Sequence, residues 1–168
     1  MSHTVFLSIG SNIGNAVENC NMALELIAKR EGIKILKTSS FYRTEPWGGI
    51  EQEWFVNCVT KIETSLSVSK LFKNLQQIEM DLGRKNTSKG YPRVIDIDML
   101  FFDSRVIEGG NLIIPHPLLH KRAFVLIPFR EIEPLFIHPV LSKTINQLRI
   151  ELKDAKQVIR LEGVKCGL

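Results

Sequence analysis

The stretch that decides the fold is "RVIDIDMLFF", residues 93–102, an apolar run with two aspartates at its centre. Its length and its content of Ile, Leu, Met and Phe predict a β-strand. Side chains two positions apart on a strand point to the same face, so Asp96 and Asp98 should lie about 6–7 Å apart. The residues that alternate with them are apolar and face the core: Ile95, Ile97 and Met99. The strand is therefore two-faced, with a core face and a face that carries two carboxylates.

The segments before this strand predict the fold class. Apolar runs bounded by turns predict strands over 4–10, 33–45 and 54–64, and apolar residues at helical spacing predict helices over 16–30 and 68–82. With 93–102 as the fourth strand, the order is β-α-β-β-α-β. This order predicts an α+β fold, the ferredoxin-like α/β sandwich, with an antiparallel sheet, both helices on one face and the carboxylates on the open face. C-terminal additions follow: a short strand near 112–114 and helical segments over 118–132 and 143–153.

The overall composition narrows the class of protein. A chain of 168 residues with 44% hydrophobic content can bury one core, so we expect a single domain over 1–168. The net charge of +4 is compatible with anionic partners but does not by itself indicate nucleic acid. The sequence has neither an apolar run long enough to span a membrane nor a signal-peptide pattern, which predicts a cytoplasmic protein. Three widely spaced cysteines, Cys20, Cys58 and Cys166, indicate thiols in a reducing cytosol.

The acidic pair has a chemical interpretation and a structural one. Two neighbouring carboxylates repel each other and favour protonation unless a cation lies between them. Oxygen ligands on a rigid strand suit Mg²⁺, which proteins hold through one or two carboxylates plus phosphate oxygens. Basic residues lie in or beside the preceding loop: Arg84, Lys85, Lys89 and Arg93. Arginine matches phosphate oxygens, so the pattern favours a metal-bound polyphosphate. An exposed sheet face beside a solvated charged loop would have the same sequence.

Other candidate residues also have ordinary structural interpretations. Gln76 and Glu79 lie outside the apolar stripe of the second predicted helix, where they could be helix surface. His116 stands between two prolines in "IIPHPLLHKRAF", and a loop histidine there is often structural. Phe55 and Phe124 could belong to the core. The loop "GSNIGN" is rich in glycine but lacks the spacing of a phosphate-binding loop.

An RNA-binding domain is the alternative function. "KGYPRVID", residues 89–96, begins like the RNA-recognition signature, and such domains share the β-α-β-β-α-β order. The match then fails, because Pro92, Arg93 and Asp96 occupy positions that require a small residue and stacking aromatics. That signature also belongs on the third strand, whereas this segment leads into the fourth. A single-strand-binding domain of this order therefore remains the second hypothesis.

Several motifs together carry a family resemblance over most of the chain: "SIGSNIGN", "SSFYRTEPWG", "FVNCV", "PRVIDIDMLFF" and "PHPLLHKRAFVLIPFREI". The P-R-x-x-D-x-D and P-H-x(5)-R-x-F blocks are highly specific in combination. The chain resembles the 6-hydroxymethyl-7,8-dihydropterin pyrophosphokinase family, the 2-amino-4-hydroxy-6-hydroxymethyldihydropteridine diphosphokinases of tetrahydrofolate biosynthesis. The resemblance implies transfer of pyrophosphate from ATP to the pterin hydroxymethyl group, with AMP and the pterin diphosphate as products. It also implies a ferredoxin-like fold and a monomer with ATP and the pterin as its partners, not nucleic acid or a membrane.

The resemblance further implies a role for each candidate residue. Asp96 and Asp98 would be ligands of two Mg²⁺ ions that bracket the ATP phosphates, and with Arg84 and Arg93 they form the catalytic set. The implied ATP-binding set is Gln76, Glu79, Arg84, Arg93, Met99, Leu112, His116 and Arg122. The implied pterin-binding set is Thr44, Glu45, Pro46, Trp47, Phe55, Asn57, Asp96 and Phe124, with the ring between the two phenylalanines. Catalysis would rest on alignment and charge neutralisation, and no side chain stands out as a general base. Loops 45–53 and 83–93 would act as lids.

This sequence departs from the family pattern at several loop positions. Tyr91 stands before Pro92 where a small residue is usual, and Asn86 stands where a further arginine can occur. Asn111 and Ile113 replace polar or basic residues that can contact the nucleotide. These changes concern individual ATP contacts rather than the reaction. Tyr91 is a candidate for the aromatic lid residue that loop 85–92 otherwise lacks.

Overall fold

The computed structural model describes residues 1–85 and 90–164, so Asn86, Lys89 and Cys166 lie outside the described residues. The strands are β1 His3–Ser11, β2 Ile33–Thr38, β3 Tyr42–Thr44, β4 Phe55–Thr64, β5 Asp96–Phe102, β6 Ile107–Gly109, β7 Leu112–Ile114 and β8 Val158–Arg160. The α-helices are α1 Ala16–Lys29, α2 Val68–Asp81, α3 Ala123–Ile132 and α4 Ile145–Glu151. Each helix and strand predicted through residue 102 has a counterpart with shifted ends, except that the strand predicted over 33–45 is found as two strands, β2 and β3.

One antiparallel sheet carries the fold, which confirms the α+β class. Its strand order is β5-β1-β4-β3-β8, with β2 also beside β4, while β6 and β7 form a separate hairpin. The strand predicted over 33–45 is interrupted between β2 and β3. At the break the Val59 N–H of β4 donates to the Ser39 hydroxyl (3.0 Å), and Phe41 is buried. The Ser39 hydroxyl oxygen therefore accepts the hydrogen bond that a backbone carbonyl would accept in a continuous strand.

The face of the sheet covered by α1 and α2 is the main core. The apolar residues of the opening stretch lie on this face, as the strand period predicts: Ile95, Ile97 and Met99. They meet apolar residues from both helices: Cys20, Leu24, Ile27, Leu71, Leu75 and Ile78. Each helix begins with a side-chain cap, because Asn15 accepts the Glu18 N–H and Ser67 accepts the Lys70 N–H.

The opposite face is partly covered, whereas the sequence predicted an open one. The C-terminal helices pack there around a second apolar cluster that includes Phe6, Val59, Leu100, Phe101 and Phe129. Leu100 has no partner on β1, because Leu7 pairs with Met99 while Phe6 pairs with Phe101, and strict alternation fails at the next residue, Phe101. This β-bulge turns both Leu100 and Phe101 toward the second cluster. The carboxylates of Asp96 and Asp98 lie on the part of this face that the helices leave open.

The C-terminal third differs from the prediction in three places. The segment predicted as one helix over 118–132 is a 3₁₀ turn, Leu119–Lys121, followed by α3. The strands β6 and β8 were not predicted, and β8 extends the sheet by pairing with β3.

Cys20 and Cys58 are buried. Among the described residues, no helix has the length and hydrophobicity needed to cross a bilayer.

Candidate active site

A cleft of about 930 Å³ lies over the ends of β1, β4 and β5, a size within the usual range for small-molecule sites. Every residue of the predicted site except Pro46 lines it: Thr44, Glu45, Trp47, Phe55, Asn57, Gln76, Glu79, Arg84, Arg93, Asp96, Asp98, Met99, Leu112, His116, Arg122 and Phe124. The departures Tyr91, Asn111 and Ile113 line it too. Lys85 is exposed and does not line it.

Strand register brings predicted pterin-binding residues next to the acidic pair. Gly10 of β1 pairs with Asn57 on one side and with Asp96 on the other. A Cβ at Gly10 would lie 2.2 Å from Asn57 Oδ1, so only glycine leaves room for the asparagine side chain. Asn57 is buried and its Nδ2 donates to Thr44 Oγ1 (2.6 Å). The predicted pterin residues Thr44 and Asn57 therefore lie beside the acidic pair.

Two arginines contact the first carboxylate, Asp96, and a buried acid, Glu79, in turn holds one of these arginines. Asp96 Oδ1 lies 2.7 Å from Arg93 Nη1 and 3.0 Å from Arg84 Nη1. Glu79, which could have been helix surface, is instead only 6% exposed. Its Oε1 accepts the Ile97 N–H (2.6 Å) and pairs with Arg84 Nη1. Burial raises the pKa of the Glu79 carboxyl, while the Ile97 N–H and Arg84 oppose the shift. Glu79 thus joins α2 to β5 and holds Arg84 against Asp96.

The second carboxylate, Asp98, faces a different pair of basic groups. Asp98 Oδ2 lies 3.9 Å from His116 Nε2 and 4.0 Å from Arg122 Nη1. Burial raises the pKa of Asp98 to about 7, and the charge of Asp96 adds to the shift. Repulsion between the carboxylates, the cause that the sequence suggested, is therefore the second cause. The side chain keeps 36% of its surface exposed, so solvent screens part of both effects.

Arg122 also lies against the aromatic part of the cleft. Its guanidinium carbon is 5.0 Å from the Trp47 ring centre and 5.5 Å from that of Phe124, within the range of cation–π attraction. Its Nε–H is buried and has no hydrogen-bond acceptor in residues 1–85 and 90–164. Phe55 lines the same cleft. An oxygen of a bound ligand would satisfy this donor, so the arrangement suits an anionic group beside a flat ring.

The loop "GSNIGN" contributes a residue that the sequence reasoning missed. Asn12 is buried, its Oδ1 accepts the Arg93 N–H (2.8 Å), and its Nδ2 donates to Gln52 Oε1 (3.0 Å) and the Glu53 carbonyl (2.9 Å). Gln52 in turn donates to the Gly90 carbonyl (2.7 Å). Asn12 therefore joins the two predicted lid loops. The available signal was an asparagine directly after a strand in a motif shared with the family.

The residues present fit a magnesium ion bound together with phosphate. Asp96 and Asp98 supply oxygen ligands on one strand face, and a cation beside them would oppose the effects that raise the pKa of Asp98. Within the described part of the chain, no group of three or more His, Cys, Asp and Glu side chains could hold a metal. The remaining ligands would therefore be phosphate or water oxygens, as is usual for Mg²⁺.

The fold and this cleft define a class: an α+β protein whose acidic pair, flanked by basic groups, suits a metal-bound polyphosphate. The chain belongs to the 7,8-dihydro-6-hydroxymethylpterin-pyrophosphokinase (HPPK) family, whose model matches residues 6–134. The match confirms the resemblance drawn from the motifs.

Individual relatives agree with this assignment. The chain is 40% identical to the 2-amino-4-hydroxy-6-hydroxymethyldihydropteridine pyrophosphokinase of Methylorubrum extorquens, over 94% of this chain and 98% of that protein. It is 38% identical to the protein of the same name from Aquifex aeolicus, over 88% and 91%. It is also 38% identical to the folic acid synthesis protein FOL1 of Dictyostelium discoideum over 94% of this chain, but it spans only 24% of that longer protein.

A solved structure supports the fold. The wild-type Plasmodium falciparum HPPK-DHPS with pteroate has a TM-score of 0.77 and 18% identity, over 90% of this chain and 44% of that chain. At this identity the likeness concerns the fold alone.

Proposed function

We propose that this protein transfers pyrophosphate from ATP to the hydroxymethyl group of 6-hydroxymethyl-7,8-dihydropterin, giving AMP and the pterin diphosphate in tetrahydrofolate biosynthesis. The observation that carries the proposal is one cleft in which the acidic pair of β5 faces four basic side chains: Arg84, Arg93, His116 and Arg122. Membership of the HPPK family supports the same reaction. RNA binding is not favoured, because the family match and the relatives of the same name support pyrophosphoryl transfer instead.

The cleft divides into a nucleotide side and a pterin side. On the nucleotide side, Arg84, Arg93, His116 and Arg122 would contact phosphates, with Gln76, Met99 and Leu112 along the remaining nucleotide. On the pterin side, Phe55 and Phe124 would stack on the ring. Asn57, already bonded to Thr44, would read the polar edge of the ring together with main-chain atoms of 44–47. Pro46 does not line the cleft, so any contribution from it would be through the loop backbone.

The chemistry requires alignment more than proton transfer. The pterin hydroxyl oxygen attacks the β-phosphorus and forms a new P–O bond, and the hydroxyl proton passes to solvent. The bond between the β-phosphorus and the oxygen that bridges it to the α-phosphate breaks, and AMP leaves with that oxygen. Two Mg²⁺ ions held by Asp96 and Asp98 would neutralise the charge of the phosphates. Arg84 and Arg93 each have further N–H donors beyond those that contact Asp96, so they can also bind phosphate oxygens as charge shifts toward the leaving group. Asn12 would keep the loops closed over both substrates.

Finer features of the protein are part of the same proposal. If β2 and β3 are counted as one interrupted strand, the core order β5-β1-β4-β2 corresponds to strands four, one, three and two of the predicted β-α-β-β-α-β unit. That order supports the ferredoxin-like assignment. A single domain over 1–168, a monomeric state, a cytoplasmic location and the absence of nucleic-acid binding stay predictions.

One assay tests the function. The protein is incubated with Mg²⁺, ATP and 6-hydroxymethyl-7,8-dihydropterin, and the nucleotides are separated. We expect pterin-dependent AMP together with the pterin diphosphate. ADP in place of AMP, or turnover that does not depend on the pterin, would contradict the proposal. Omission of Mg²⁺ is the control for the metal requirement, and Asp96→Asn should lose the metal-dependent turnover while it keeps the fold.

A further inference from the structure

The segment after α4 contacts both walls of the pterin side, although the family match ends at residue 134. Asp154 Oδ2 accepts the Ala123 N–H of α3 (3.1 Å). Glu45 Oε2 accepts the Gln157 N–H (2.6 Å), and the Glu45 N–H donates to the Gln157 carbonyl (3.0 Å). The segment 154–160 is called the C-terminal clamp below. It ends in β8, which pairs with β3 at Thr44.

Helix α3 needs a cap that its own sequence does not supply. The first N–H groups of a helix have no partner within the helix, and an acceptor side chain at the N-cap usually satisfies one of them. The N-cap of α3 is Arg122, which has no acceptor and makes no side-chain cap bond. Asp154 supplies the missing acceptor from 31 positions away along the chain. Its negative charge also lies at the positive end of the helix dipole.

The Asp154 carboxylate is itself ordered. Its Oδ1 accepts the Lys156 N–H (3.0 Å), a turn within the clamp, while its Oδ2 accepts the Ala123 N–H of α3. One carboxylate therefore bridges two backbone segments. Ala123 lies directly between Arg122 and Phe124, so the position of its N–H sets where both of these side chains begin.

The two contacts of the clamp reach two segments that line the same cleft, the loop at Glu45 and the start of α3. Trp47, two residues beyond Glu45, stacks with Arg122, and Arg122 stacks with Phe124. A shift of the α3 start would therefore move one ring wall relative to the loop that begins at Glu45. Of the basic groups on the nucleotide side, Arg122 depends on this geometry, whereas Arg84 and Arg93 are held by Asp96.

We propose that the C-terminal clamp belongs to the pterin site and that Asp154 is a positioning residue, which caps α3 in trans and thereby sets Phe124 and Arg122 against the loop at Glu45. This inference rests on the proposed function. It adds a determinant of pterin affinity that lies outside the matched family region.

The test compares three variants in the pterin assay: Asp154→Ala, Asp154→Asn and Glu151→Gln. Loss of a helix cap corresponds to roughly a three- to tenfold change in an equilibrium, so Asp154→Ala should raise the KM for the pterin by about that factor. The KM for ATP should rise no more than about twofold, because Arg122 is one of several basic groups there. Asp154→Asn keeps an acceptor oxygen and should recover most of the affinity. Glu151→Gln loses only the exposed pair with Lys143 and is the matched control.

Direct titration of pterin binding in the presence of a non-hydrolysable ATP analogue gives a second readout. An equal rise in both KM values, or an unchanged pterin KM in Asp154→Ala, would overturn the proposal for the C-terminal clamp. It would leave the proposed function intact as long as the wild-type protein is active. If Asp154→Ala is too unstable to assay, Asp154→Asn replaces it in the test. A thermal midpoint and a pterin KM close to wild type support the acceptor role, and an Asn variant that is also too unstable to assay, or that raises both KM values equally, contradicts it. A wild-type protein without pterin-dependent AMP formation would overturn the proposed function and this inference together.

Discussion

Glu79→Ala tests the connection between α2, β5 and the acidic pair. The substitution removes the acceptor of the buried Ile97 N–H and the partner of Arg84. A buried donor without an acceptor costs about 1–3 kcal/mol. Removal of one partner from a fully buried ion pair costs about 3–5 kcal/mol. Arg84, however, keeps 25% of its side chain exposed and retains Asp96, so the lower end applies. We expect the free energy of unfolding to fall by about 2–3 kcal/mol.

The assay is thermal and urea unfolding followed by circular dichroism, without substrates. For a chain of this length, 1 kcal/mol corresponds to about 2–4 °C, so the expected drop in Tm is about 4–12 °C. Turnover should fall as well, because Arg84 loses the group that holds it against Asp96. The loss should appear in kcat/KM for ATP, on the side of the cleft that Arg84 faces.

Two controls separate the hydrogen bond from the helix position. Glu79→Gln keeps an oxygen for the Ile97 N–H, so its stability should stay within about 1 kcal/mol of wild type, whereas turnover falls because the charge that holds Arg84 is gone. Gln77→Ala removes only an exposed bond to Asp81 (2.8 Å) and should change stability by less than about 0.5 kcal/mol. Equal losses in the Ala and Gln variants of Glu79, or a loss in Glu79→Ala no larger than in Gln77→Ala, would refute the reasoning.

Three further predictions concern the rest of the cleft. Burial raises the pKa of Asp98 from 3.8 to about 7, so the contribution of Asp98 to the wild-type Tm should fall as pH rises through this window and then level off. Asp98→Asn should lack that part of the fall, and identical pH profiles would contradict the raised pKa. Asn12→Ala should lower kcat about tenfold with a folded protein by circular dichroism, because the Arg93 N–H and both loops lose a partner; an unchanged kcat would remove Asn12 from the closing of the loops. Phe124→Ala should raise the KM for the pterin at least about tenfold through lost stacking and buried area, with a much smaller change for ATP, and the reverse order of effects would place the pterin elsewhere.

Local sequence patterns were sufficient for the parts of the site that lie on one element. The strand period placed Asp96 and Asp98 together and turned Ile97 to the core, and both placements are confirmed. The helix stripes likewise located α1 and α2. These features depend on neighbours within a few positions, whose relative directions are set by backbone geometry. The resemblance to the family then predicted the remaining residues of the site, and all of them except Pro46 line the cleft.

Strict alternation could not show where β5 departs from it. The bulge at Leu100 places Phe101 in the second cluster. That cluster forms only when α3 and α4 pack on the sheet. The same packing covers part of the face that the pattern left open. A period read from one strand contains no information about what covers its far side.

The sequence by itself determined the acidic pair, the α+β class and the family. Tertiary structure alone decided how the pair is held. Glu79 is buried because Ile97 offers it an N–H from another element, Asn12 meets Arg93 from 81 positions away, and Asp154 caps a helix whose own N-cap cannot. Each of these contacts joins segments that are distant in the chain. Burying a polar group costs free energy unless a hydrogen-bond partner satisfies it, and for these groups the partner comes from a segment far along the chain. No local sequence pattern records which distant segments will meet.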